Sequence, residues 1–255
     1  MINIILCGAA GRMGSEIIKA AQTCDDLCVI AGVEAKGTQS IGGAISGVRI
    51  YDDILAVVQN ADCVVDFTHH TASLEILQKI SEYEKPFVTG TTGFSDRELQ
   101  QIKKHAKTMA IFIAPNMSVG VNHLYSLVRS SAAALSDYDI EIIETHHRYK
   151  KDAPSGTAKA IAKIIREVMP DLEFVYGREG MIGERKRGEI CIHSVRGGDV
   201  VGEHRVLFSG NGEFLELRHF ATSRHCFAAG ALAAVRFIIN KAPGLYSMQD
   251  LLKNR

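Results

Sequence analysis

"NIILCGAAGRMG", residues 3–14, joins an apolar, strand-like run to a turn that contains Gly8, Gly11 and Gly14. In such a turn one glycine permits the tight bend, a second lets the backbone approach a pyrophosphate, and a third allows the helix to pack closely on the strand. The helix that follows would point unpaired N–H groups and a positive dipole end at the phosphates. The spacing is GxxGxxG rather than the commoner GxGxxG, so a tight turn without a ligand is the alternative.

Short apolar runs alternate with amphipathic stretches of helical length as far as about residue 117. Continuous apolar character is typical of parallel strands covered on both faces, and repeated strand–helix units indicate a doubly wound parallel sheet. Strands are predicted at 3–8, 27–34, 62–68, 85–90 and 110–116, and helices at 12–22, 52–59, 71–84 and 95–108. The predicted fold class of this part is α/β and Rossmann-like.

After Asn116 the pattern changes. Several β-rich segments follow one another with no helix between them, which indicates a second, α+β domain with a mixed or antiparallel sheet. The predicted elements are helices at 119–136 and 156–169, strands at 138–147, 189–195, 203–210 and 213–221, and a closing apolar helix at 225–240.

Charge and composition restrict the partners of the chain. The 255 residues include 29 basic and 29 acidic side chains, so the formal net charge is zero and no global field attracts nucleic acid or an anionic membrane. No apolar run reaches about 18 residues, so neither a membrane span nor a signal peptide is expected. The six cysteines form no CxxC pair, which suits free thiols in the cytoplasm.

Glu34 ends the second predicted strand, about 20 residues beyond Gly14. An acidic residue at this place holds the ribose hydroxyls of a dinucleotide, and it repels a 2′-phosphate. Lys36 and Arg12 can offset that repulsion. The sequence therefore predicts binding of NADH, NADPH or both, with dual use favoured.

Two loops follow the fourth and fifth parallel strands, "GTTGF" at 90–94 and "APNMS" at 114–118. Ligands of open α/β sheets lie beyond the carboxyl ends of the strands. Thr91, Thr92 and Asn116 can therefore hydrogen-bond a nicotinamide and its ribose. Ordinary loop composition is the alternative interpretation.

"ETHHRYKKDAPSGTA", residues 144–158, gathers cationic and titratable groups in a chain without net charge. Its Ser-Gly-Thr run lies at a predicted helix start, where the dipole alone stabilises a carboxylate by about 0.3–1 kcal/mol. Nearby lysine and histidine add charge-assisted hydrogen bonds. This stretch predicts a site for a small dicarboxylate, with histidine or lysine passing a proton; a solvated basic loop is the alternative.

No metal site is predicted from the two adjacent histidine pairs, His69-His70 and His146-His147. Neighbouring side chains of an extended strand point to opposite faces, and no carboxylate or cysteine spacing supports either pair as ligands.

"EIIETHHRYKKDAPSGTA" resembles the signature segment of the dihydrodipicolinate reductase family. "GAAGRMG", "VVDFT", "VTGTTGF", "APNMSVGVN" and "GREGMIGERKRGEICIHSVRGGDVVGEH" occur in the order that this family shows. The resemblance covers essentially the whole chain. It implies reduction of 4-hydroxy-tetrahydrodipicolinate, a small cyclic dicarboxylate, to tetrahydrodipicolinate with loss of water. NADH or NADPH would supply the hydride, in lysine and diaminopimelate biosynthesis.

The resemblance also implies roles for individual residues. His146 matches a proton donor and acceptor, and Lys150 matches a proton-donating lysine. The implied substrate-binding residues are His147, Gly156 and Thr157. The implied cofactor-binding residues are Gly8, Ala9, Ala10, Gly11, Arg12, Met13, Glu34, Gly90, Thr91, Thr92, Ala114, Pro115, Asn116 and Met117.

The same resemblance implies a homotetramer built by the sheet of the second domain, and a final helix that returns to the first domain. The implied domains are 1–117 with 227–255 for the dinucleotide, and 118–226 for substrate and assembly. Ala35 departs from the basic residue that members often carry after the ribose-binding glutamate, which puts an NADP preference in doubt. His69 and His70 replace forms with a proline, and no role is assigned to them.

Two other functions are compatible with the glycine turn. One is another two-domain nicotinamide oxidoreductase, such as an amino-acid dehydrogenase acting on aspartate. The other is a non-catalytic dinucleotide sensor that changes partners with NADH. The dehydrogenase does not explain the whole segment from the paired histidines to the Ser-Gly-Thr run. The sensor needs no proton donors beside an anion site.

Overall fold

A computed structural model describes residues 1–254. The chain forms two compact units: unit 1 contains Met1–Val119 and Arg224–Arg255, and unit 2 contains Gly120–Ser223. Arg255, the last residue of the predicted segment 227–255, lies outside the described residues. None of the helices within residues 1–254 combines the length and the apolar character that a membrane crossing needs.

Unit 1 is built on an eight-stranded sheet in the order β13-β7-β6-β5-β1-β2-β4-β3. All neighbours are parallel except β3 and β4, which form an antiparallel hairpin at one edge. The strands are β1 Ile2–Cys7, β2 Leu27–Val33, β3 Ala44–Ile45, β4 Val48–Tyr51, β5 Cys63–Asp66, β6 Phe87–Thr89, β7 Ala110–Ile113 and β13 Gly244–Tyr246. The predicted doubly wound α/β fold is confirmed.

The helices of unit 1 are α1 Arg12–Ala21, α2 His70–Ile80, α3 Asp96–His105, α6 His225–Ile238 and α7 Met248–Lys253. The predicted helix at 52–59 is wrong. Two 3-10 turns, Ile54–Ala56 and Val58–Asn60, occupy it. The side chain of Asp53 caps the first turn, and Val57, with φ −132°, interrupts the helical backbone between them.

Both faces of the parallel sheet are covered. Ile4 and Leu6 of β1 belong to a buried cluster with α1 and α6, whereas Ile5 and Cys7 point into a second buried cluster on the other face. Full burial of one such aliphatic side chain stabilises the fold by about 1.5–3 kcal/mol. The continuous apolar character of the strands is thus explained by burial on two sides.

The glycine turn after β1 leaves no room for side chains at two positions. Gly8 has φ +80°, and a Cβ there would lie 2.4 Å from the carbonyl oxygen of Phe67. A Cβ at Gly14 would lie 2.2 Å from the carbonyl oxygen of Gly8. Helix α6 packs with similar closeness, since a Cβ at Gly230 would lie 1.7 Å from the carbonyl oxygen of Met117.

Unit 2 has a five-stranded sheet in the order β12-β11-β8-β10-β9. Strands β8, β10 and β9 are parallel, and β11 and β12 add antiparallel neighbours, so the predicted mixed sheet is confirmed. Helices α4 and α5 cover one face, where apolar residues of the strands form the core. The elements are α4 Val119–Ala134, β8 Asp139–His146, α5 Gly156–Val168, β9 Glu173–Tyr176, β10 Glu189–Arg196, β11 Gly202–Ser209 and β12 Phe214–Ala221.

Candidate active site

The cofactor segments predicted from the sequence start along one edge of the unit 1 sheet. Cys7, Val33, Asp66, Thr89 and Ile113 are register neighbours at the carboxyl ends of five parallel strands. Each predicted segment, including the glycine turn, begins directly after one of these strand-end residues. The structure therefore brings the segments 8–13, 90–92 and 114–117 and residue 34 to the edge where such folds bind ligands.

A cavity of about 700 Å³ opens between the glycine turn and the loop after β5. Gly8, Gly11, Glu34 and Lys36 line it, and its size is suited to part of a dinucleotide. The backbone N–H of Ala10 donates to Oε1 of Glu34 over 2.6 Å, so the glycine turn holds that carboxylate. These residues fit an adenosine ribose at Glu34 and a pyrophosphate at the start of α1.

A buried carboxylate organises the loops on either side of β5 and β6. Asp66 is fully buried, and within residues 1–254 its carboxylate accepts hydrogen bonds from four hydroxyl groups. The four donors are Thr68 and Ser73, each at 2.6 Å, Thr89 at 2.7 Å and Thr91 at 2.8 Å. Because Thr91 Oγ1 also accepts the backbone N–H of Thr68, this cluster fixes the predicted cofactor loop to the neighbouring one.

The loop after β7 has its own support. The side-chain oxygen of Asn116 accepts the backbone N–H of Ser118 over 2.9 Å, which closes a local turn. Ala114 and Met117 are buried, so in this segment the polar groups offered at the sheet edge come from the backbone and from Asn116.

In unit 2, the predicted substrate residues surround the carboxyl end of β8 and the start of α5. Ser155 caps α5, its Oγ accepting the backbone N–H of Ala158 over 3.2 Å. Gly156 and Thr157 form the first turn of α5, the end of a helix at which backbone N–H groups and the dipole favour an anion. Apart from its chain neighbours and the nearby backbone of α5, no atom of residues 1–254 lies within 4 Å of the position that a Cβ would take at Gly156. This helix end can therefore receive a carboxylate.

His146 is held by a fully buried carboxylate. Its Nδ1 lies 2.6 Å from Oε2 of Glu144, two residues earlier on the same face of β8. Arg196 donates to both oxygens of Glu144, at 2.9 and 2.7 Å, and the backbone N–H of Ser155 donates to Oε1 at 3.1 Å. Burial alone would raise the pKa of Glu144, but the hydrogen bonds from His146, Arg196 and Ser155 hold that pKa well below its ordinary value.

A second buried histidine lies against the first. The rings of His204 and His146 meet edge to face, with centroids 5.2 Å apart. Nε2 of His204 is 3.1 Å from Oγ of Ser155. Burial, and then the charge of His146, lower the pKa of His204 to about 3, so His204 is neutral near pH 7.

The loop between β8 and α5 holds the other predicted residues. The backbone N–H of His147 donates to the carbonyl of Val200 over 2.8 Å, and that of Lys150 donates to the carbonyl of His147 over 3.1 Å. The side chain of Lys150 is only 21% exposed, whereas Tyr149 points into solvent. The structure thus places His146, His147 and Lys150 at the same sheet end as the start of α5.

Four residues of this region were missed from the sequence: Glu144, Arg196, Gly202 and His204. Glu144 had a usable signal, because a residue two positions before His146 on a strand shares its face. The others come from β10 and β11, and only sheet register brings them near His146.

On the opposite face of β8, Glu141 belongs to a separate ion-pair cluster. It accepts hydrogen bonds from Arg178 at 2.8 and 2.9 Å, from Arg185 at 3.1 Å and from His193 at 2.8 Å. Burial would raise the pKa of Glu141, but these bonds lower it to about 2. One possible metal-ligand atom from each of Glu141, Cys191 and His193 lies within 4.8 Å of the other two. The carboxylate of Glu141, however, already binds the guanidinium groups of Arg178 and Arg185.

Comparison with known proteins matches nearly the whole chain to one family in two parts. The family model described as dihydrodipicolinate reductase, N-terminus, matches residues 2–117, and the one described as dihydrodipicolinate reductase, C-terminus, matches residues 120–252.

Individual relatives align over their full length. A 4-hydroxy-tetrahydrodipicolinate reductase from Caldanaerobacter subterraneus subsp. tengcongensis is 43% identical over 254 residues, covering 99% of each chain. One from Nitrosomonas europaea is 45% identical over 262 residues, covering 98% of each. A solved structure of dipicolinate-bound dihydrodipicolinate reductase from Paenisporosarcina sp. TG-14 is similar, with a TM-score of 0.78 and 28% identity over 97% of both chains.

Proposed function

The chain belongs to the dihydrodipicolinate reductase family, and we propose that its substrate is reduced beside His146 at the carboxyl end of β8. It is an NAD(P)H-dependent oxidoreductase that converts 4-hydroxy-tetrahydrodipicolinate to tetrahydrodipicolinate in lysine and diaminopimelate biosynthesis. The aspartate dehydrogenase and sensor alternatives are therefore set aside. The single observation that supports the location is the contact of His146 with a carboxylate that also binds the capped start of α5.

In the reaction, one hydride and one proton are taken up and one water is released per substrate molecule. A bound nicotinamide supplies the hydride. On the cofactor side, we assign the pyrophosphate to residues 8–13, the adenosine ribose to Glu34, and the nicotinamide end to the loops 90–92 and 114–117. The turn geometry at Gly8 and the cavity beside Glu34 support this assignment.

On the substrate side, we assign the carboxylates of the ring to Gly156, Thr157 and His147. The helix dipole and the backbone N–H groups of α5 favour an anion, and the dipicolinate-bound relative carries a cyclic dicarboxylate of this class. His146 and Lys150 are then the proton donors that neutralise charge developing on the ring. Positioned proton transfer of this kind contributes about 10²–10⁴-fold in rate.

The direct test is substrate-dependent loss of NADH absorbance with freshly generated 4-hydroxy-tetrahydrodipicolinate. His146→Gln is expected to lower kcat by about 10²-fold or more while NADH still binds. The fluorescence of bound NADH provides the binding control. Wild-type turnover in the variant would refute the role of His146.

For the cofactor, we propose use of both NADH and NADPH. Glu34 can bind both ribose hydroxyls of NADH, and its charge opposes a 2′-phosphate, whereas Lys36 lines the same cavity and offsets part of that repulsion. A titration in which NADPH binds more than about 100-fold tighter than NADH would contradict this role of Glu34.

We also propose that unit 2 assembles the chain into a homotetramer. Val195, Thr145, Glu203 and Phe220 form one row across four strands, on the sheet face opposite α4 and α5. Val195 and Phe220 are 46% and 49% exposed there, although large apolar side chains are usually covered. Sedimentation of the wild type, compared with Phe220→Asp, tests the assembly.

Free thiols at all six cysteines support our further assignment of the protein to the cytoplasm.

A further inference from the structure

We propose that Glu144 is a positioning residue for the reductase reaction: held by Arg196, it fixes the tautomer and orientation of His146 so that Nε2 alone exchanges the proton. This inference rests on the proposed function, since it takes His146 as the proton donor. It adds to that function a residue that does not touch the substrate and acts only through His146.

The tautomer follows from the hydrogen bonds. Glu144 is fully buried and accepts two guanidinium bonds and one backbone bond, which keeps it ionised. An ionised carboxylate can only accept, so the hydrogen between Glu144 and His146 must lie on Nδ1. Neutral His146 then has its lone pair on Nε2, and the protonated form can release a proton only there.

The surroundings of Nε2 are shaped for that exchange. Gly202 of β11 lies beside the ring, and a Cβ at this position would be 3.1 Å from Nε2. The absence of a side chain therefore leaves space at the atom that must meet the substrate. His204, which also lies on β11, is neutral and contacts the His146 ring edge to face. It therefore restrains the imidazole of His146 without adding a charge.

The same carboxylate also connects His146 to the anion site. Oε2 of Glu144 contacts His146, whereas Oε1 accepts the backbone N–H of Ser155, the residue that caps α5. One rigid group thus sets the position of the proton donor relative to the helix start that we assign to the carboxylates. Misplacement of His146 relative to that helix start by about 1 Å can cost on the order of 10²-fold in rate.

Glu144→Gln tests the inference. The amide keeps the shape but can donate as well as accept, so the tautomer is no longer fixed. We expect kcat to fall by about 10²-fold, with the KM for NADH unchanged within about twofold. Glu141→Gln is the matched control, because Glu141 lies on the same strand in a comparable ion-pair cluster on the opposite face. It is expected to retain kcat within about twofold.

The double variant separates positioning from a structural role. If Glu144 acts through His146, then Glu144→Gln combined with His146→Gln should be no slower than His146→Gln alone, within about twofold. Losses that multiply would overturn the inference, as would wild-type kcat in Glu144→Gln.

Gly202→Ala covers the case in which Glu144→Gln does not fold. It leaves every charge in place and adds a methyl group beside Nε2. We expect an approximately tenfold loss of kcat with NADH binding retained, the low end for a disturbed proton donor. Unchanged kcat would overturn the inference. Absence of substrate-dependent NADH oxidation in the wild type would instead refute the proposed function, so the two failures are distinguishable.

Discussion

The ammonium group of Lys150 lies 2.8 Å from Oδ1 of Asp152, two residues further along the loop between β8 and α5. The hydrogen bond from Lys150 is the main reason that the pKa of Asp152 is below its ordinary value. The loop therefore holds a charged lysine close to the start of α5, on a carboxylate whose side chain is about half exposed.

Lys150→Ala is expected to lower kcat by about 10²-fold or more, because it removes a proton donor at the proposed substrate site. Lys151→Ala is the matched control, since the neighbouring lysine is exposed and has no assigned role. Steady-state oxidation of NADH at saturating substrate measures both. A Lys150→Ala variant as fast as Lys151→Ala would exclude Lys150 as a donor.

Ala35→Arg is expected to shift cofactor preference. Ala35 is exposed and lines the cavity beside Glu34, so an added guanidinium can reach a 2′-phosphate. We expect kcat/KM for NADPH to rise about tenfold, with little change for NADH. A tenfold rise corresponds to roughly the free energy of one partly exposed charge-assisted hydrogen bond. Lys36→Ala should lower kcat/KM for NADPH in the same assay. Equal effects on both cofactors would show that the cavity does not bind the 2′ position.

Asp66→Asn is expected to weaken both the fold and cofactor binding. The carboxylate accepts four hydroxyl groups, and an amide offers one oxygen and two donors in its place. We expect the free energy of unfolding to fall by about 2 kcal/mol or more, and the Kd for NADH to rise about tenfold.

Asp62→Asn provides the control for that prediction. Asp62 precedes the same strand, is exposed, and accepts the backbone N–H of Asn3 over 2.7 Å. The Asp62→Asn substitution should lower the free energy of unfolding by less than about 1 kcal/mol and leave the affinity for NADH unchanged. Chemical denaturation and NADH fluorescence measure the two quantities. Equal losses in both variants would remove the special role of Asp66.

His204 makes stability depend on pH. Its pKa is lowered from the ordinary 6.5 to about 3 by burial, so between these values the unfolded chain binds a proton that the folded chain does not. Stability supplied by neutral His204 is therefore complete above pH 6.5 and is lost as pH falls toward 3. From pH 7 to pH 5 this residue should lower the free energy of unfolding by about 2 kcal/mol.

The measurement is urea denaturation at the two pH values, for the wild type and His204→Gln at equal protein concentration. The variant should lose about 2 kcal/mol less than the wild type over this interval, because it has no imidazole to protonate at this position. The same loss in both proteins would mean that the fold does not lower the pKa of His204.

Sequence patterns identified the elements whose signals are local. Strands covered on both faces have apolar sequences, and the start of α3 has a local signal because Ser95 and Glu98 form a capping box. Strand β13, Gly244–Tyr246, gave no such signal, because its three residues become a strand only by pairing with β7, more than 100 positions earlier. The four-residue β9 was missed for the same reason.

The residues of the candidate site likewise fall into those with a local sequence signal and those without one. The glycine turn, Glu34 and the start of α5 could be predicted, because each is a short motif with its own mechanics. The pairing of Glu144 with Arg196 joins positions 52 residues apart and depends on the register of β8 and β10. The hydroxyl cluster around Asp66 likewise draws on three segments that only the folded sheet brings together.

The packing of Gly230 against the Met117 carbonyl has a consequence for biogenesis. The loop 114–117 leaves the ribosome more than 100 residues before the helix that presses on it, and the whole of unit 2 is made in between. A nascent chain stalled within unit 2 should therefore be unable to retain a dinucleotide, however well its early strands have paired. We therefore expect coenzyme binding to become possible only late in translation, after α6 has been made.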